Sequence, residues 1–334
     1  MSQVVSHAEP AQQKLRLMYA PIREELAQVE LLLGKELSSE FAFIDQLARH
    51  GLLLGGKRLR PALVLLSGRA CGPLSAEHPV VAAVVELIHT ATLVHDDVLD
   101  EATVRRHLAT VNARWDNETS VLLGDYMFAR AICLASDLEN TYVHRVLGEA
   151  SRRMCEGELR QVGSRGQYDL SEADYLSIVA AKTAALCACC CRLGSHLGGA
   201  TPELVEAFAQ YGHHLGIAFQ IVDDVLDLRG TEAVTGKSLG TDLMKRKPTL
   251  PLIRLLSEAS PEDRSELLAV LGSSDDHRLE RLKPWFLRSD AVGYAQQQAI
   301  VHVSRAKAQL DLVPPGPARE SLRQLADFVV TRQE

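Results

Sequence analysis

The segment Asp96-Asp97-Val98-Leu99-Asp100 recurs in this chain of 334 residues as Asp223-Asp224-Val225-Leu226-Asp227. Each copy ends an apolar run with helical spacing. Residues four apart lie on one face of a helix, so the first and last aspartates of each copy project together. Like charges at that spacing repel each other, and we therefore expect a cation between them. Mg²⁺ fits best, because it binds one or two carboxylates and completes its shell with water and substrate phosphates.

A less specific interpretation is that each acidic cluster is a solvated helix end, since charge runs usually lie on exposed faces. Two observations argue against it. The cluster is repeated without change, and Arg105 and Arg106 follow the first copy after a short interval. The planar guanidinium group binds phosphate oxygens in a bidentate manner. The sequence therefore predicts a site for magnesium and a diphosphate.

The overall composition is that of a globular protein, with 46% hydrophobic and 24% charged residues. A net charge of −7 argues against nucleic-acid binding, which would require a basic surface. We find no run that approaches the ~18 apolar residues of a membrane span, and no signal peptide, so we expect a cytoplasmic protein. Four of the seven cysteines fall within residues 187–191. They lack the spacing of a zinc site and are expected to be buried.

Apolar residues recur at helical spacing along most of the chain, and no convincing strand pattern appears. Capping signals such as Thr201-Pro202-Glu203 mark helix starts. We predict an all-α fold of about a dozen helices, with one domain over residues 10–334 and a disordered tip at residues 1–9. Residues 229–248 are rich in glycine and lysine. This segment is either a basic lid over an anionic substrate or an ordinary surface connection.

A second phosphate-binding candidate lies near the N-terminus. Residues 51–57 match the opening of a nucleotide P-loop, but Arg58 stands where a Ser or Thr must bind Mg²⁺, so we reject that interpretation. What remains is Gly55-Gly56-Lys57 followed by Arg58 and Arg60. Lys57 and Arg60 are three residues apart and share a helix face, where they could hold one diphosphate.

Taken together, the glycine-lysine motif, the two aspartate motifs and the paired arginines occur in an order that resembles the trans-polyprenyl diphosphate synthase family. These enzymes are the head-to-tail isoprenyl transferases. The likeness runs from about Leu54 to Ile253, and residues 86–95 are similar to the long-chain members. It includes three further motifs, Gly124-Asp125, Lys182-Thr183 and Gly240-Thr241-Asp242.

The resemblance implies a bundle of helices around a deep central cavity, working as a homodimer on isopentenyl diphosphate and an allylic diphosphate. It also implies Mg²⁺ as cofactor, with three ions when the allylic diphosphate is bound. The implied metal ligands are Asp96, Asp97, Asp100, Asp223, Asp224 and Asp227. The implied catalytic residues are Asp96, Asp97, Asp100, Asp223, Lys182, Thr183 and Gln220.

The resemblance also assigns substrate contacts. Those to the allylic diphosphate are Arg105, Lys182 and Lys237. Those to isopentenyl diphosphate are Lys57, Arg60, His89 and Arg106. Thr183 and Gln220 would face the reacting carbons. His89 alone would more often be a buried core histidine, and only the motif around it favours binding. One departure is His107, where the family usually has glycine after the paired arginines.

Product length should depend on residues below Asp96 on the same helix. These are Thr92, Ala91 and Ile88, one to two turns away at ~1.5 Å per residue. Short-chain members of the family carry bulky aromatics at the first two positions. Ala91 and Thr92 are small, so we expect an open pocket and a product of the heptaprenyl to decaprenyl class. A geranylgeranyl-length product is the alternative.

Two further functions compete with this hypothesis. A terpene cyclase would share the first aspartate motif, but it would carry an Asn/Ser/Glu metal triad in place of the second and an aromatic cavity. Aromatic residues make up only 5% of this chain. A non-catalytic subunit of a heteromeric synthase would be expected to lose aspartates or the Lys57 and Arg60 pair. All of them are present.

Overall fold

Helices form nearly all the regular structure in this computed structural model, which describes residues 8–229, 240–273 and 277–332. The α-helices are α1 Ala8–Met18, α2 Arg23–Glu36, α3 Ala42–Leu53, α4 Leu59–Cys71, α5 Glu77–Leu99, α6 Val111–Arg114, α7 Asn117–Ser136, α8 Thr141–Gly163, α9 Glu172–Val179, α10 Ala185–Leu197, α11 Pro202–Arg229, α12 Thr241–Met244, α13 Leu250–Glu258, α14 Pro261–Gly272, α15 Arg278–Arg288, α16 Ala291–Gln309 and α17 Pro317–Thr331. Short 3₁₀ turns cover Ala20–Ile22 and Leu310–Leu312, and a π-helical turn covers Ala180–Ala184.

The all-α class is confirmed, and the helices outnumber the predicted dozen. Several extra elements are single turns, such as α6 and α12, which are too short to produce a periodic pattern. The helix start predicted at Thr201-Pro202 agrees with the first residue of α11, Pro202. The division into a disordered tip and one domain stays a prediction.

The two helices that carry the aspartate motifs are central in the fold. Helix α5 packs against α2, α4 and α7, and α11 packs against α10, α16 and the π-helical turn. Helix α10 contacts both α4 and α11. A helix that is apolar around most of its circumference is usually buried on several sides, and residues 81–88 of α5 are all buried. Each motif therefore lies at the C-terminal end of a rigid core helix.

Two helical stretches are apolar and long enough by composition to span a membrane, contrary to the expectation from the sequence. They are Glu77–Leu99 and Glu172–Leu197. However, 72% of the first apolar window and 67% of the second are buried inside the protein. Such burial is what core helices of a globular fold show, because the protein itself covers their apolar surface.

The cysteine cluster is part of the core of α10. Cys187, Cys189, Cys190 and Cys191 are all buried and form no disulfide. Burial raises the pKa of the Cys189 thiol to about 12. A metal site requires thiolates, so this environment disfavours a zinc site and supports the expected packing role.

A short hairpin follows the first aspartate motif, in a segment whose sequence shows no strand pattern. Strand β1 (Val104–Arg105) pairs with β2 (Leu108–Ala109) in antiparallel register. Its two turn residues, Arg106 and His107, have φ of 52° and 64°. Positive φ at both central positions defines a type I′ turn, which favours glycine at the second position. This accounts for the family preference for glycine, and His107 adopts the left-handed conformation in its place.

We predict that His107→Gly stabilises the protein, because glycine adopts the left-handed conformation at no steric cost. The free energy of unfolding should rise by about 1 kcal/mol. Chemical denaturation monitored by circular dichroism measures this change. The matched control is His107→Ala, which removes the same imidazole but retains a Cβ. Equal stabilisation by both variants would show that the side chain, and not the turn conformation, is responsible.

Candidate active site

The first aspartate motif forms the C-terminal end of α5, and one face of that helix remains partly exposed. The face consists of residues three or four positions apart, which is the spacing of a single helix surface. They are His89, Thr92, Leu93, Asp96 and Asp100. In contrast, Ile88 and Ala91 are buried, with 5% and 1% of their surface exposed.

Asp97 points to the other side of α5, into the protein. It is 1% exposed. The guanidinium group of Arg105 donates to its carboxylate at 2.7 and 2.9 Å. Burial raises the pKa of Asp97, and the paired Arg105 opposes that rise. Asp97, predicted to bind magnesium, and Arg105, predicted to contact the diphosphate, are thus bonded to each other.

The second motif, at the end of α11, is divided in a similar way. Asp223 retains 32% side-chain exposure and forms an ion pair with Arg332 at 2.7 Å. Asp224 is 5% exposed, and it accepts a hydrogen bond from the Tyr175 hydroxyl at 2.6 Å. Asp227 is 1% exposed. It accepts hydrogen bonds from the Thr241 hydroxyl at 2.8 Å and from a backbone amide.

Lys247 joins the two motifs. Its ammonium group lies 2.9 Å from Asp100 and 3.5 Å from Asp242. The backbone amide of Asp242 in turn donates to Asp227 at 3.2 Å. The side chain of Lys247 is only 10% exposed. A single buried cation therefore holds the end of α5 close to the end of α11.

The π-helical turn places two further predicted residues beside the aspartates. Lys182 lies 3.7 Å from Asp96 and forms an ion pair with Glu158. Thr183 donates a hydrogen bond to Gln220 at 2.9 Å, and the Gln220 amide donates to Asp224 at 2.8 Å. Single π turns within helices occur mostly at functional sites. A series of side-chain hydrogen bonds thus runs from the turn to the second motif.

Burial raises the pKa of one outward and one interior aspartate, whereas at Asp100 the effect of burial is outweighed by Lys247 and the pKa is lowered. Burial raises the pKa of Asp96 to about 6, with the neighbouring carboxylate of Glu158 adding to the effect and Lys182 opposing it. The pKa of Asp224 rises to about 8 through burial and the charge of Asp242. The raised pKa of Asp96 means that its charged form is not fully compensated by the protein. A divalent cation beside Asp96 would relieve its repulsion by Glu158 and Asp100.

The predicted isopentenyl diphosphate residues form a second, positively charged group. Arg60 has a buried Nε atom with no hydrogen-bond partner. Burial and the nearby guanidinium groups of Arg105 and Arg58 lower the pKa of Arg106. Burial, followed by the charge of Arg60, also lowers the pKa of His89, which favours a neutral imidazole. The Lys57 ammonium lies 5.6 Å from the centre of the Phe328 ring. A group of several cationic side chains is suited to binding an anion.

The donors present fit magnesium bound together with a diphosphate. Asp96, Asp100 and Asp223 offer hard carboxylate oxygens. Within the described ranges, no three His, Cys, Asp or Glu side chains come close enough to hold a metal ion by themselves. Mg²⁺ typically requires only one or two carboxylates beside phosphate oxygens. Carboxylate ligands on two separate helix ends therefore fit a Mg²⁺ ion that would also bind the phosphate oxygens of the substrate.

Several residues of the site carry no signal in the sequence. Glu158, Tyr175 and Arg332 belong to no motif, and their partners are more than thirty residues away or on other helices. Lys247 stands out only as one charge of a basic segment, and its contact with Asp100 could not be foreseen. Lys237 lies outside the described residues, so its predicted contact with diphosphate stays a prediction.

Comparisons with known proteins show the family and the fold of this chain. Residues 42–285 match the model of the polyprenyl synthetase family. The chain belongs to that family. It is 35% identical to an all-trans-nonaprenyl-diphosphate synthase (geranyl-diphosphate specific) from Rhodobacter capsulatus, over 94% of this chain and 96% of the relative. It is 36% identical to heptaprenyl diphosphate synthase component 2 from Geobacillus stearothermophilus, over 96% and 99%.

A solved structure extends the likeness to the fold. The polyprenyl synthase from Caulobacter crescentus CB15, complexed with calcium and isoprenyl diphosphate, superposes with a TM-score of 0.92. The two sequences are 35% identical, and the match covers 96% of this chain and 98% of that one. This polyprenyl synthetase is therefore a prenyltransferase of the polyprenyl diphosphate synthase class, as its motifs indicated.

We predict different consequences for two adjacent aspartates. Asp96→Asn should lower kcat by about 10²- to 10³-fold, because it removes charge that stabilises the developing transition state. It should leave the melting temperature unchanged or higher, since it relieves repulsion. Asp97→Asn should instead destabilise the fold by about 3 kcal/mol, because it leaves Arg105 buried without its partner charge.

Kinetics and thermal unfolding of both variants test this division. The double variant Asp97→Asn/Arg105→Met serves as the control, since it removes both charges and should recover part of the lost stability. The division would be refuted if Asp97→Asn were inactive and yet as stable as the unaltered protein.

Proposed function

We propose that the protein condenses isopentenyl diphosphate head to tail with an allylic diphosphate of the farnesyl or geranylgeranyl type, in the presence of Mg²⁺. The product would be a long-chain polyprenyl diphosphate. The observation that carries this proposal is the Lys247 contact, which holds Asp100 beside the second aspartate motif. Two outward acidic groups then lie on neighbouring helix ends, next to a surplus of cations.

The allylic diphosphate would bind between the aspartate motifs. When bound there, Mg²⁺ would neutralise the charge that builds on the departing diphosphate. Asp96, Asp100 and Asp223 would hold it, while the three interior aspartates keep the outward ones in place. Lys182, 3.7 Å from Asp96, is positioned to contact the same phosphate oxygens. The contribution of the interior aspartates would be indirect, because they orient the residues to which they are bonded. These aspartates are Asp97, Asp224 and Asp227.

Isopentenyl diphosphate would bind to the cation group. Lys57, Arg60 and Arg106 supply positive charge, and the unpartnered Nε of Arg60 marks an unfilled donor. His89, whose pKa is lowered by burial and by Arg60, would donate one hydrogen bond as a neutral imidazole. A neutral donor adds specificity without further repulsion among the arginines.

The reaction itself requires cleavage of the allylic C–O bond, formation of a C–C bond and loss of one proton. Cations around the leaving diphosphate stabilise its charge, and such electrostatic stabilisation usually contributes most to the rate of this kind of reaction. The double bond of isopentenyl diphosphate then attacks the allylic carbon. Thr183 and Gln220, bonded to each other at 2.9 Å, would face the reacting carbons. By resemblance to the family, the departed diphosphate accepts the proton, and no side-chain base is assigned.

Product length would depend on the space below Asp96. Thr92 lies on the partly exposed face of α5, one turn before Asp96. Ala91 and Ile88 are buried. Their burial fits a role in forming the wall of the proposed product pocket. If the product pocket lies beside them, their small or aliphatic side chains would obstruct a growing hydrocarbon less than an aromatic side chain would. The deep central cavity and the tunnel floor remain part of the proposal.

We also propose that the protein is a homodimer in the cytoplasm. Helix α7 leaves Leu122 and Ile132 with 60% and 55% exposure, and α8 leaves Leu159 with 72%. Contiguous exposed apolar patches often mark an interface with a partner, and in a homodimer these side chains would belong to such a patch. The Geobacillus relative is named as one component of its synthase. A requirement for a second subunit is therefore the alternative to activity of the chain alone.

The decisive experiment uses the purified full chain alone. It is incubated with Mg²⁺, isopentenyl diphosphate and farnesyl diphosphate, and the products are sized by chromatography. We expect a heptaprenyl to decaprenyl diphosphate and no product after chelation of the metal. A geranylgeranyl product would establish the shorter alternative. Cyclic hydrocarbons would indicate a cyclase. No turnover would indicate that a second component is required.

We predict that Ala91→Tyr shortens the product by several isoprene units, because a phenol at this position would fill the path of the growing chain. Chromatographic sizing under the same conditions measures the shift. Ala91→Gly is the control and should leave the distribution unchanged. If Ala91→Tyr folded normally and gave the original product lengths, Ala91 would not line the tunnel.

A further inference from the structure

We propose that Arg58 is a positioning residue for the isopentenyl diphosphate subsite and does not contact the phosphates itself. This inference rests on the function proposed above. The sequence places three cations together, at Lys57, Arg58 and Arg60. The structure separates them, because the middle guanidinium turns away into the protein.

The guanidinium group of Arg58 lies between two helices. Its Nη1 donates to Oε1 of Glu86 on α5 at 2.8 Å. Its Nε and Nη2 donate to Glu30 on α2 at 2.6 and 3.2 Å. The side chains of Arg58 and Glu86 are only 14% and 2% exposed. All three nitrogens of Arg58 are thus directed at carboxylates of the protein.

The backbone of the same segment is held at further points. Arg58 has φ of 50° and ψ of 36° at the start of α4, which is the left-handed region. A residue other than glycine persists there only where its surroundings enforce it. The Tyr19 hydroxyl donates to the carbonyl of Lys57 at 2.9 Å. Arg106 donates to the carbonyl of Leu54 at 2.7 Å. The segment that presents Lys57 and Arg60 is therefore fixed in shape.

The two glycines of the motif provide room for these contacts. A Cβ atom at Gly55 would clash with Nη1 of Arg58 and would lie 2.9 Å from the carbonyl oxygen of Leu52. At Gly56 it would clash with the guanidinium group of Arg106. The two glycines therefore leave space beside the segment for the guanidinium groups of Arg58 and Arg106. Of these two residues, only Arg106 belongs to the proposed phosphate contacts.

Positioning can be distinguished from simple charge. Arg58 is paired with both Glu86 and Glu30, so its charge is offset by carboxylates and adds little positive field at the subsite. If charge alone mattered, Arg58→Met would weaken anion binding and Glu86→Gln would strengthen it. If the pair holds the segment in place, each substitution alone weakens binding. The double variant then binds no more weakly than Arg58→Met alone, because that substitution already removes every bond of Arg58, including those to Glu30.

The test is a double-mutant cycle on the full-length protein with steady-state kinetics. We expect the KM for isopentenyl diphosphate to rise at least about tenfold in Arg58→Met, in Glu86→Gln and in the double variant. We expect kcat to change less than about threefold and the KM for the allylic diphosphate to remain constant. A lower KM in Glu86→Gln, or additive losses in the double variant, would overturn the proposal.

Three further measurements keep the test decisive. Gly55→Ala retains every charge but displaces Arg58, and it should raise the same KM even if Arg58→Met does not fold. Arg58→Lys should recover part of the affinity. Arg49→Met, which breaks the exposed pair with Asp45 on α3, is the matched control and should alter nothing. Unaltered KM values in Gly55→Ala would contradict the proposal.

Failure of the proposed function would look different. If the unaltered protein does not elongate farnesyl diphosphate, the condensation is wrong or needs a second component. Calorimetric titration with isopentenyl diphosphate then tests the positioning role without turnover. Weaker binding by Arg58→Met would support it, and equal binding would refute it. If the unaltered protein is active and all variants retain its KM, only the positioning role is wrong.

Discussion

Six carboxylates lie at the ends of two neighbouring helices, and the repulsion among them is the constraint that organises this site. The protein resolves half of it internally. Asp97 is bonded to Arg105, Asp224 to Tyr175 and Gln220, and Asp227 to Thr241 and a backbone amide. Buried charges are tolerated when they are paired or hydrogen-bonded in this way. Of the outward carboxylates, Asp100 is paired with Lys247 and Asp223 with Arg332, while burial and the charge of Glu158 raise the pKa of Asp96. We propose that a metal ion with its diphosphate would compensate the charge that remains.

This division explains why a short motif needs three aspartates. In the first motif two of them, one turn apart, lie on the partly exposed face of the helix, where they would meet the proposed ligand, and the third anchors the helix end to the protein. Because that anchor is bonded to an arginine from the following hairpin, the motif and the residues behind it form one unit. Lys247 then ties that unit to the second motif through Asp100 and Asp242. The outward carboxylates are held in place before any substrate arrives, which reduces the reorganisation needed for catalysis.

Much of this could be predicted from the sequence. Helical spacing identified the all-α class, and the repeated aspartate motif indicated the candidate site, because both depend on local periodicity. The inward partners could not be predicted. Tyr175 and Glu158 lie on other helices, and nothing near them in the chain marks them. Arg58 was indistinguishable from Lys57 and Arg60 until its contacts with Glu30 and Glu86 were visible. The hairpin could not be predicted either, because strands of two residues have no detectable alternation.

The turn at Arg106 and His107 has one more consequence. Arg105 is bonded to the first aspartate motif, while the next residue, Arg106, is bonded to the carbonyl of Leu54 in the glycine-rich segment. Adjacent residues of the chain thus hold the two halves of the reaction centre. We propose that this short connection would set the distance between the donor and acceptor carbons. A longer product would then require only a larger space below Asp96, while this distance stays the same in every round of elongation.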